Sequence, residues 1–180
     1  MIGKTEATMQ IVEKEEDRMR FETQNPAETF ALGRRFGARA RPGEVYTLDG
    51  DLGAGKTVFA QGFAEGLGVP GPVNSPTFTI LQSYDGGRLA LYHFDVYRIE
   101  EPEEMDEIGY EDCFYGEGVC LVEWAEQIAE KIPGDAVRIR IVRRDEIGPS
   151  RRLIEVNGYP ADAPGTVDGQ TDLSENGLPG

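Results

Sequence analysis

The sequence predicts an α/β layered fold in which helices flank a central mixed sheet and a hairpin lies near the C-terminus. Two patterns along the 180 residues indicate this fold. Short apolar runs alternate with helix-period segments in the first half, and pairs of alternating apolar and polar runs follow in the second half. A chain of this length fits one domain with tails, and it holds no apolar run long enough to cross a membrane.

Both ends of the chain are predicted to be disordered tails. Residues 1–20 mix charges with few aromatic side chains, and residues 159–180 carry acids, prolines and glycines but no lysine or arginine. Segments of this composition bury too little apolar surface to offset the entropy of folding. The folded domain is therefore expected over residues 21–158.

The first half of the chain predicts two helices around one strand. The first helix covers residues 26–40, with Asn25 as its N-cap and Pro26 at its first position. A short strand over residues 44–49 follows, and a glycine-rich turn leads from it into a second helix over residues 56–66.

The second half predicts two hairpins, a buried strand and two short helices. An Asp-Gly-Gly turn joins the strands of the first hairpin, and a Gly-Pro turn lies between those of the second. The predicted elements are strands over 77–84 and 89–95, a helix over 102–109, a strand over 119–123, a helix over 125–131, and strands over 136–142 and 151–156.

Charge and cysteine content exclude several classes of protein. With 33 acidic and 18 basic residues, the net charge is −15, and such a chain is not expected to grip nucleic acid by itself, because phosphate binding needs clustered lysine and arginine. Cys113 and Cys120 are too few for a disulfide framework and are read as reduced thiols. The first 20 residues have no apolar segment typical of a secretory signal, so a cytoplasmic protein is predicted.

The strongest functional signal is residues 50–57 (GDLGAGKT), which match the pattern G-x-x-x-x-G-K-[ST] between a strand and a helix. Glycines allow backbone N–H groups to surround an anion, and the N-terminus of the following helix favours the same anion. Lys56 can reach the β- and γ-phosphates, and the Thr57 hydroxyl can ligate magnesium. The motif predicts a nucleotide site in a layered fold like that of the P-loop NTPases.

Two carboxylates and one hydroxyl are candidates to complete this site. Asp95 and Glu123 each end an apolar strand, where a P-loop protein needs an acid to order magnesium and water. The residues alone leave open which of the two touches the metal. Thr77 follows the P-loop helix in a loop where nucleotide switches sense the γ-phosphate, although an ordinary Ser-Pro turn also explains this stretch.

Four motifs occur in an order that resembles the TsaE family: GDLGAGKT, SPTF, HFDVYR and VEW. The resemblance extends from about Thr23 to Gly158. TsaE proteins are small bacterial ATPases required for threonylcarbamoyladenosine synthesis on tRNA. The resemblance implies ATP and Mg²⁺ as ligands, weak intrinsic ATPase activity, and a TsaB–TsaD heterodimer as partner. TsaD carries out the transfer, so tRNA is met only through the complex.

The resemblance also implies roles for individual residues. Thr57 and Glu123 would ligate magnesium, and Asp95 would be a catalytic or supporting carboxylate. The catalytic residues implied are Lys56, Asp95, Glu123 and Thr77, and the nucleotide-binding residues are Pro26, Leu52, Gly53, Ala54, Gly55, Lys56, Thr57 and Trp124.

Two other functions remain open from the sequence. A small-molecule kinase usually closes an arginine-bearing lid over ATP, but residues 99–123 are acidic and contain no arginine. A nucleotide-switched binding module would bind ADP and ATP differently without useful turnover.

Other charged residues have plain and functional interpretations. The eight carboxylates of residues 100–112 form either a solvated face or a docking surface for a basic partner. The basic cluster Arg143, Arg144, Arg151 and Arg152 either balances nearby acids or touches a partner. His93 is a buried core residue, a catalytic base or a residue that orients Asp95. Arg98 is an arginine finger or forms an ion pair with the acidic helix.

Overall fold

The computed structural model describes residues 10–15, 17–159, 166–167 and 170–171. Its centre is an eight-stranded mixed sheet. The strands are β1 (Gln10–Glu15), β2 (Arg18–Thr23), β3 (Val45–Asp49), β4 (Leu81–Tyr84), β5 (Leu91–Asp95), β6 (Val119–Glu123), β7 (Val137–Arg143) and β8 (Arg152–Asn157). Their order across the sheet is β1-β2-β8-β7-β3-β6-β5-β4.

Four neighbouring strands of this sheet run in one direction. β7, β3, β6 and β5 are mutually parallel, and the outer strands pair antiparallel to their neighbours. The carboxyl ends of the parallel strands therefore meet at one edge, which is where open α/β sheets place their ligands.

Helices cover both faces of the sheet. The first face carries α1 (Pro26–Arg39) and α2 (Lys56–Gly66), and the second carries α3 (Glu104–Ile108), α4 (Tyr110–Phe114) and a 3-10 helix (Ala125–Lys131). The predicted α/β fold with a mixed sheet and a C-terminal hairpin is confirmed. None of the helices described is both long and apolar enough to span a membrane.

Strand β6 shows how the sheet divides the core into two clusters. Val119 and Leu121 belong to the cluster under α1 and α2, whereas Cys120 and Val122 belong to the cluster under the other helices. Every residue of β6 is buried, which explains its continuous apolar sequence. Its terminal Glu123 is thereby held in a fixed position at the carboxyl edge.

Helices α1 and α2 pack closely because the glycines of each helix face the backbone of the other helix. A Cβ at Gly33 would collide with the carbonyl of Phe59, and a Cβ at Gly37 would collide with that of Phe63. Gly62 and Gly66 of α2 stand equally close to the α1 backbone. The spacing of the two helices, and hence the position at which α2 begins, is fixed by this contact.

The prediction of a disordered N-terminal tail over residues 1–20 is wrong for its described part. β1 and the first half of β2 lie in this range, and β2 pairs with β8. Met19 and Phe21 are buried in the core, while Arg18 and Arg20 pair with Glu155 on β8. The alternation of apolar and polar residues in β2 is short, and the many charged residues around it make the segment look disordered in composition. Residues 1–9 and residue 16 lie outside the described residues.

The predicted start of the C-terminal tail, at residue 159, is also too early. Tyr159 is buried against Phe36, with ring centroids 5.2 Å apart, so the folded domain includes residue 159. Two short strands, Thr166–Val167 and Gln170–Thr171, pair with each other. The rest of residues 160–180 lies outside the described residues.

Three further elements differ from expectation. The predicted strand over 77–84 begins only at Leu81, because the chain turns before it and Ile80 adopts a left-handed conformation at φ 66°. The helix over 125–131 is a 3-10 helix. Helix α4 was not predicted, since its residues read as part of a long acidic stretch.

Candidate nucleotide site

A cavity of about 380 Å³ opens at the carboxyl edge of the parallel strands, between β3 and α2. Residues from the P-loop (residues 50–57), from the loop after α2, and from the ends of β5 and β6 meet there. Its lining consists of Leu52, Gly53, Gly55, Lys56, Thr57, Val58, Ser75, Thr77, Asp95, Tyr97, Glu123 and Trp124.

The loop between β3 and α2 depends on its glycines. Gly53 and Gly55 have φ values of 78° and 106°, in the region that favours glycine. At Gly50 a Cβ would lie 2.5 Å from the Ile141 carbonyl oxygen. The chain can therefore turn sharply from the sheet into the first residue of α2.

Lys56, the first residue of α2, is buried at the base of this loop. Its Nζ donates hydrogen bonds to the carbonyl oxygens of Gly50, at 2.5 Å, and Asp51, at 2.9 Å. It also lies 4.1 Å from the centroid of the Trp124 ring. Burial lowers the pKa of Lys56, and the nearby charge of Glu123 acts in the opposite direction.

Asp95 and Glu123 are register partners at the ends of β5 and β6, and both are buried. The Ser75 hydroxyl lies 2.6 Å from Asp95 Oδ2 and 2.7 Å from Glu123 Oε2. Thr77 Oγ1 donates to the same Asp95 oxygen at 3.1 Å, and the backbone N–H of Tyr97 donates to Asp95 Oδ1 at 3.0 Å. Since a hydroxyl has one proton to donate, Ser75 can satisfy only one carboxylate at a time.

This donor set fits a magnesium ion that also binds phosphate oxygens. Magnesium is usually held by one or two carboxylates together with substrate phosphates. Asp95 and Glu123 supply two adjacent carboxylates, and Thr57 contributes a hydroxyl to the same cavity. The two acids end neighbouring strands in register, so the geometry does not separate their roles.

Trp124 closes one side of the cavity in an unusual backbone conformation. Its φ of 60° is left-handed, which is uncommon for a bulky residue and marks a strained position. This conformation lets the indole lie over Lys56 and against Tyr97, whose ring centroid is 4.9 Å away. The next residues form the 3-10 helix, where the N–H of Glu126 donates to Asp49 Oδ1 at 3.4 Å.

Most residues implied by the sequence come together in this cavity, but two do not. Pro26 is exposed at the first position of α1 and is absent from the lining. Ala54 is buried, and its carbonyl accepts a hydrogen bond from Arg152 instead of facing the cavity. The implied residues that line the cavity are Leu52, Gly53, Gly55, Lys56, Thr57, Thr77, Asp95, Glu123 and Trp124.

Sequence reasoning missed the central place of Ser75 and the presence of Tyr97. Ser75 was noted only as part of a Ser-Pro turn, yet it contacts both carboxylates. The only signal for Tyr97 was its position two residues after Asp95. His93 is fully buried with Nε2 3.5 Å from Glu123 Oε2, so it neighbours Glu123.

Three large apolar side chains in or beside the cavity lining are exposed: Leu52 and Tyr97 line the cavity, and Phe78 follows Thr77 of the lining in sequence. Leu52, Phe78 and Tyr97 are 72%, 80% and 47% exposed. Arg98, considered above as a finger or an ion-pair partner, lies with its guanidinium 4.4 Å from the centroid of the Phe78 ring. We call Leu52, Phe78 and Tyr97 the apolar rim.

Comparisons of the sequence point to one family. The family model described as "Threonylcarbamoyl adenosine biosynthesis protein TsaE" matches residues 23–153. The tRNA threonylcarbamoyladenosine biosynthesis protein TsaE of Bacillus subtilis (strain 168) is 53% identical over 125 residues, which are 69% of this chain and 78% of the relative. The protein of the same name from Treponema pallidum (strain Nichols) is 43% identical over 123 residues, covering 68% and 90%.

A solved structure gives the same answer. The crystal structure of Bacillus subtilis YdiB is similar to this chain with a TM-score of 0.69 and 42% sequence identity, over 82% of this chain and 90% of that chain. The resemblance drawn from the four sequence motifs is thus confirmed by the family match, by the relatives and by the fold. The chain belongs to the TsaE family, whose proteins take part in the biosynthesis of threonylcarbamoyladenosine on tRNA.

Proposed function

We propose that this protein is an ATPase that binds Mg–ATP in the cavity and supports tRNA modification together with a TsaB–TsaD complex. The observation that carries the proposal is the P-loop lysine, Lys56, facing two adjacent buried carboxylates, Asp95 and Glu123, in one cavity. A phosphate chain needs cationic and N–H donors, and a hydrolysed phosphate also needs a group that orients water.

The P-loop supplies the phosphate contacts in this proposal. Backbone N–H groups of the loop and the N-terminus of α2 face the anion, and Lys56 neutralises charge on the transferred phosphoryl group. The Lys56 ammonium now donates to two loop carbonyls, so it is already held beside the position of the phosphates. Thr57 and one of the two carboxylates would hold magnesium, which when bound neutralises charge on the phosphate oxygens.

The remaining carboxylate is free to act on water. With Glu123 at the metal, Asp95 would orient the attacking water and accept its proton, and Thr77 and Ser75 hold the Asp95 oxygen in place. With Asp95 at the metal, the two acids exchange these roles. In each arrangement the Ser75 hydroxyl can donate to the carboxylate that orients the water, because it lies within hydrogen-bond distance of both acids.

A partner that docks over the cavity is supported by the surface around it. The apolar rim exposes three large side chains in or next to the cavity lining, and exposed apolar patches mark interaction sites. The chain carries a net charge of −15, so its part in tRNA modification is proposed to pass through the complex and not through direct tRNA binding. The proposal assigns the protein to the cytoplasm, in keeping with the free thiols of Cys113 and Cys120.

Release of phosphate from ATP, with and without purified TsaB–TsaD, tests this function. We expect slow release that rises when the pair is added and is lost in Lys56→Ala and Glu123→Ala. Arg138→Ala, at an exposed residue of β7 outside the cavity lining, is the control. Tight nucleotide binding with no phosphate release under any condition would instead favour a nucleotide-switched binding module, and a phosphorylated small molecule would favour a kinase.

A further inference from the structure

Arg152, the first residue of β8, contacts the P-loop and is absent from the cavity lining. Its Nε donates to the Ala54 carbonyl oxygen at 2.7 Å, and Nη2 lies 3.4 Å from the Gly53 carbonyl oxygen. Nη1 donates to the carbonyls of Pro149 and Arg151, each at 2.9 Å. One guanidinium therefore ties the turn before β8 to the centre of the loop, 98 residues away in sequence.

These hydrogen bonds determine which way the loop amides point. The carbonyl of Ala54 and the N–H of Gly55 belong to one planar trans peptide, so they point in opposite directions. Because Arg152 holds the Ala54 carbonyl on its own side, the Gly55 N–H is directed to the other side, where Gly55 lines the cavity. Glycines on both sides of Ala54 would otherwise let this peptide rotate at little cost.

Arg152 also differs from its neighbours in charge pairing. Arg143 pairs with Asp145, and Arg144 pairs with Glu146 and Glu22. Within the part of the chain that the structure describes, Arg152 forms no ion pair, and its guanidinium hydrogen bonds go to backbone carbonyls. Its positive charge therefore stays beside the loop, where it favours an anion bound on the opposite face.

We propose that Arg152 is a positioning residue that presets the P-loop for phosphate binding without touching the nucleotide. The inference rests on the proposed function, because it assumes that the loop binds nucleotide phosphates. The backbone N–H groups of a P-loop surround the α- and β-phosphates, which ADP and ATP share. Loss of Arg152 should therefore weaken both nucleotides by the same factor.

Nucleotide titration of variants tests this role. Trp124 is the single tryptophan of the chain and lines the cavity, so its fluorescence can report binding of ADP and Mg–ATP. We expect Arg152→Ala to raise the Kd of both nucleotides on the order of tenfold, as loss of charge-assisted hydrogen bonds does. Arg152→Lys keeps the positive charge but loses the planar set of guanidinium N–H donors, and should give a Kd between those of the wild type and Arg152→Ala. The matched control is Arg151→Ala, expected to bind as the wild type does.

A purely structural role would not produce the same pattern. In steady-state hydrolysis, Arg152→Ala should raise KM and leave kcat unchanged, because the lost interaction is shared by the ground state and the transition state. The melting temperature of each variant shows whether the fold is intact. If Arg152→Ala does not fold, Arg152→Lys decides: weaker binding of both nucleotides at an unchanged melting temperature supports the role, and wild-type affinity overturns it.

The failure of this inference is distinguishable from failure of the proposed function. If the wild type binds neither nucleotide, the proposed function fails, and the role of Arg152 falls with it. If the wild type binds both and Arg152→Ala binds them equally well, only the role of Arg152 is overturned. A loss confined to ATP also overturns it, because that result would mean a direct contact with the γ-phosphate.

Discussion

The Ser75 hydroxyl contacts both buried acids of the site, which makes it the residue on which the carboxylate pair depends. It reaches Asp95 at 2.6 Å and Glu123 at 2.7 Å, whereas Thr77 reaches Asp95 alone. A buried carboxylate that loses its donor is destabilised and changes its preferred orientation. The positions of the two acids are therefore coupled through one side chain.

Removal of this hydroxyl should impair hydrolysis more than binding. We expect Ser75→Ala to lower kcat about tenfold, corresponding to ~1.4 kcal/mol of transition-state stabilisation. The affinity for ADP should not change, because among the described residues the Ser75 hydroxyl contacts Thr77, Asp95 and Glu123 and not the P-loop. Ser83→Ala, at an exposed serine on β4, is the control. Wild-type turnover in Ser75→Ala would show that the acids are positioned without it.

Asp49 gives a pH-dependent test at the same scale. Burial raises the pKa of its carboxyl from the ordinary value of 3.8 to about 6. As pH rises from about 4 to 6, the unfolded chain ionises Asp49 before the folded protein does, so this group lowers stability across that interval and keeps the penalty above it. Asn retains the oxygen that accepts from Glu126 but cannot ionise.

We therefore expect Asp49→Asn to be more stable than the wild type at pH 8, by at most about 3 kcal/mol. The gain should vanish as the pH approaches about 4, where both states of the wild type are protonated. Urea unfolding across this pH range measures the difference, with Asp51→Asn, an exposed carboxylate two positions along, as control. A gain that does not vary with pH would contradict the assigned cause.

At the scale of elements, the site depends on how α2 is held against α1. The glycines of the two helices bring the backbones together, and a Cβ at Gly37 would collide with the carbonyl of Phe63. Replacing an exposed glycine inside a helix by alanine normally raises the free energy of unfolding by up to about 1 kcal/mol. Here overpacking of typically 1–3 kcal/mol opposes that gain.

Gly37→Ala should consequently lower the free energy of unfolding by about 1–2 kcal/mol. Chemical denaturation compares it with Gly134→Ala, where a Cβ would meet no atom within 4 Å. The control should remain as stable as the wild type. If Gly37→Ala were neutral or stabilising, the helices would not be in contact as described.

At the scale of the whole molecule, the apolar rim is exposed on the outside of the protein, with Leu52 and Tyr97 in the cavity lining and Phe78 next to Thr77. Phe78 is 80% exposed and contributes little to the core, so its substitution tests docking without disturbing the fold. Phe78→Ala should leave basal phosphate release unchanged and reduce stimulation by TsaB–TsaD about tenfold, the effect of losing an aromatic anchor. Tyr115, 69% exposed and outside the rim, provides the control as Tyr115→Ala. If TsaB–TsaD stimulated Phe78→Ala as strongly as it stimulates the wild type and Tyr115→Ala, the rim would be excluded as the docking surface.

Local patterns predict much of this molecule because many of its elements are encoded over few residues. The P-loop is contiguous in sequence, and β6 and α2 are found at the bounds their patterns predict. β2 was missed because its alternation of buried and exposed residues is short and lies among charges. Such a strand is stabilised by pairing with β8, about 130 residues away in sequence, and not by its own composition.

The residues of the site also fall into those that local sequence signals identify and those that depend on distant contacts. The motif identifies Lys56 and Thr57, and the ends of apolar strands identify Asp95 and Glu123, because each signal is local. The roles of Ser75 and Arg152 depend on contacts between distant segments, which a sequence pattern does not contain. Pro26, carried over from the resemblance, has no such contact with the cavity.

Calorimetric titration of Mg–ATP into the wild type and Lys56→Ala tests the central claim most directly. The account predicts that the wild type binds and that Lys56→Ala binds at least about tenfold more weakly, since a charge-assisted contact is lost. Lys131→Ala is the matched control, because Lys131 pairs with Asp106 and is absent from the cavity lining. No binding by the wild type, or equal binding by Lys56→Ala, would contradict the assignment of this cavity as a nucleotide site.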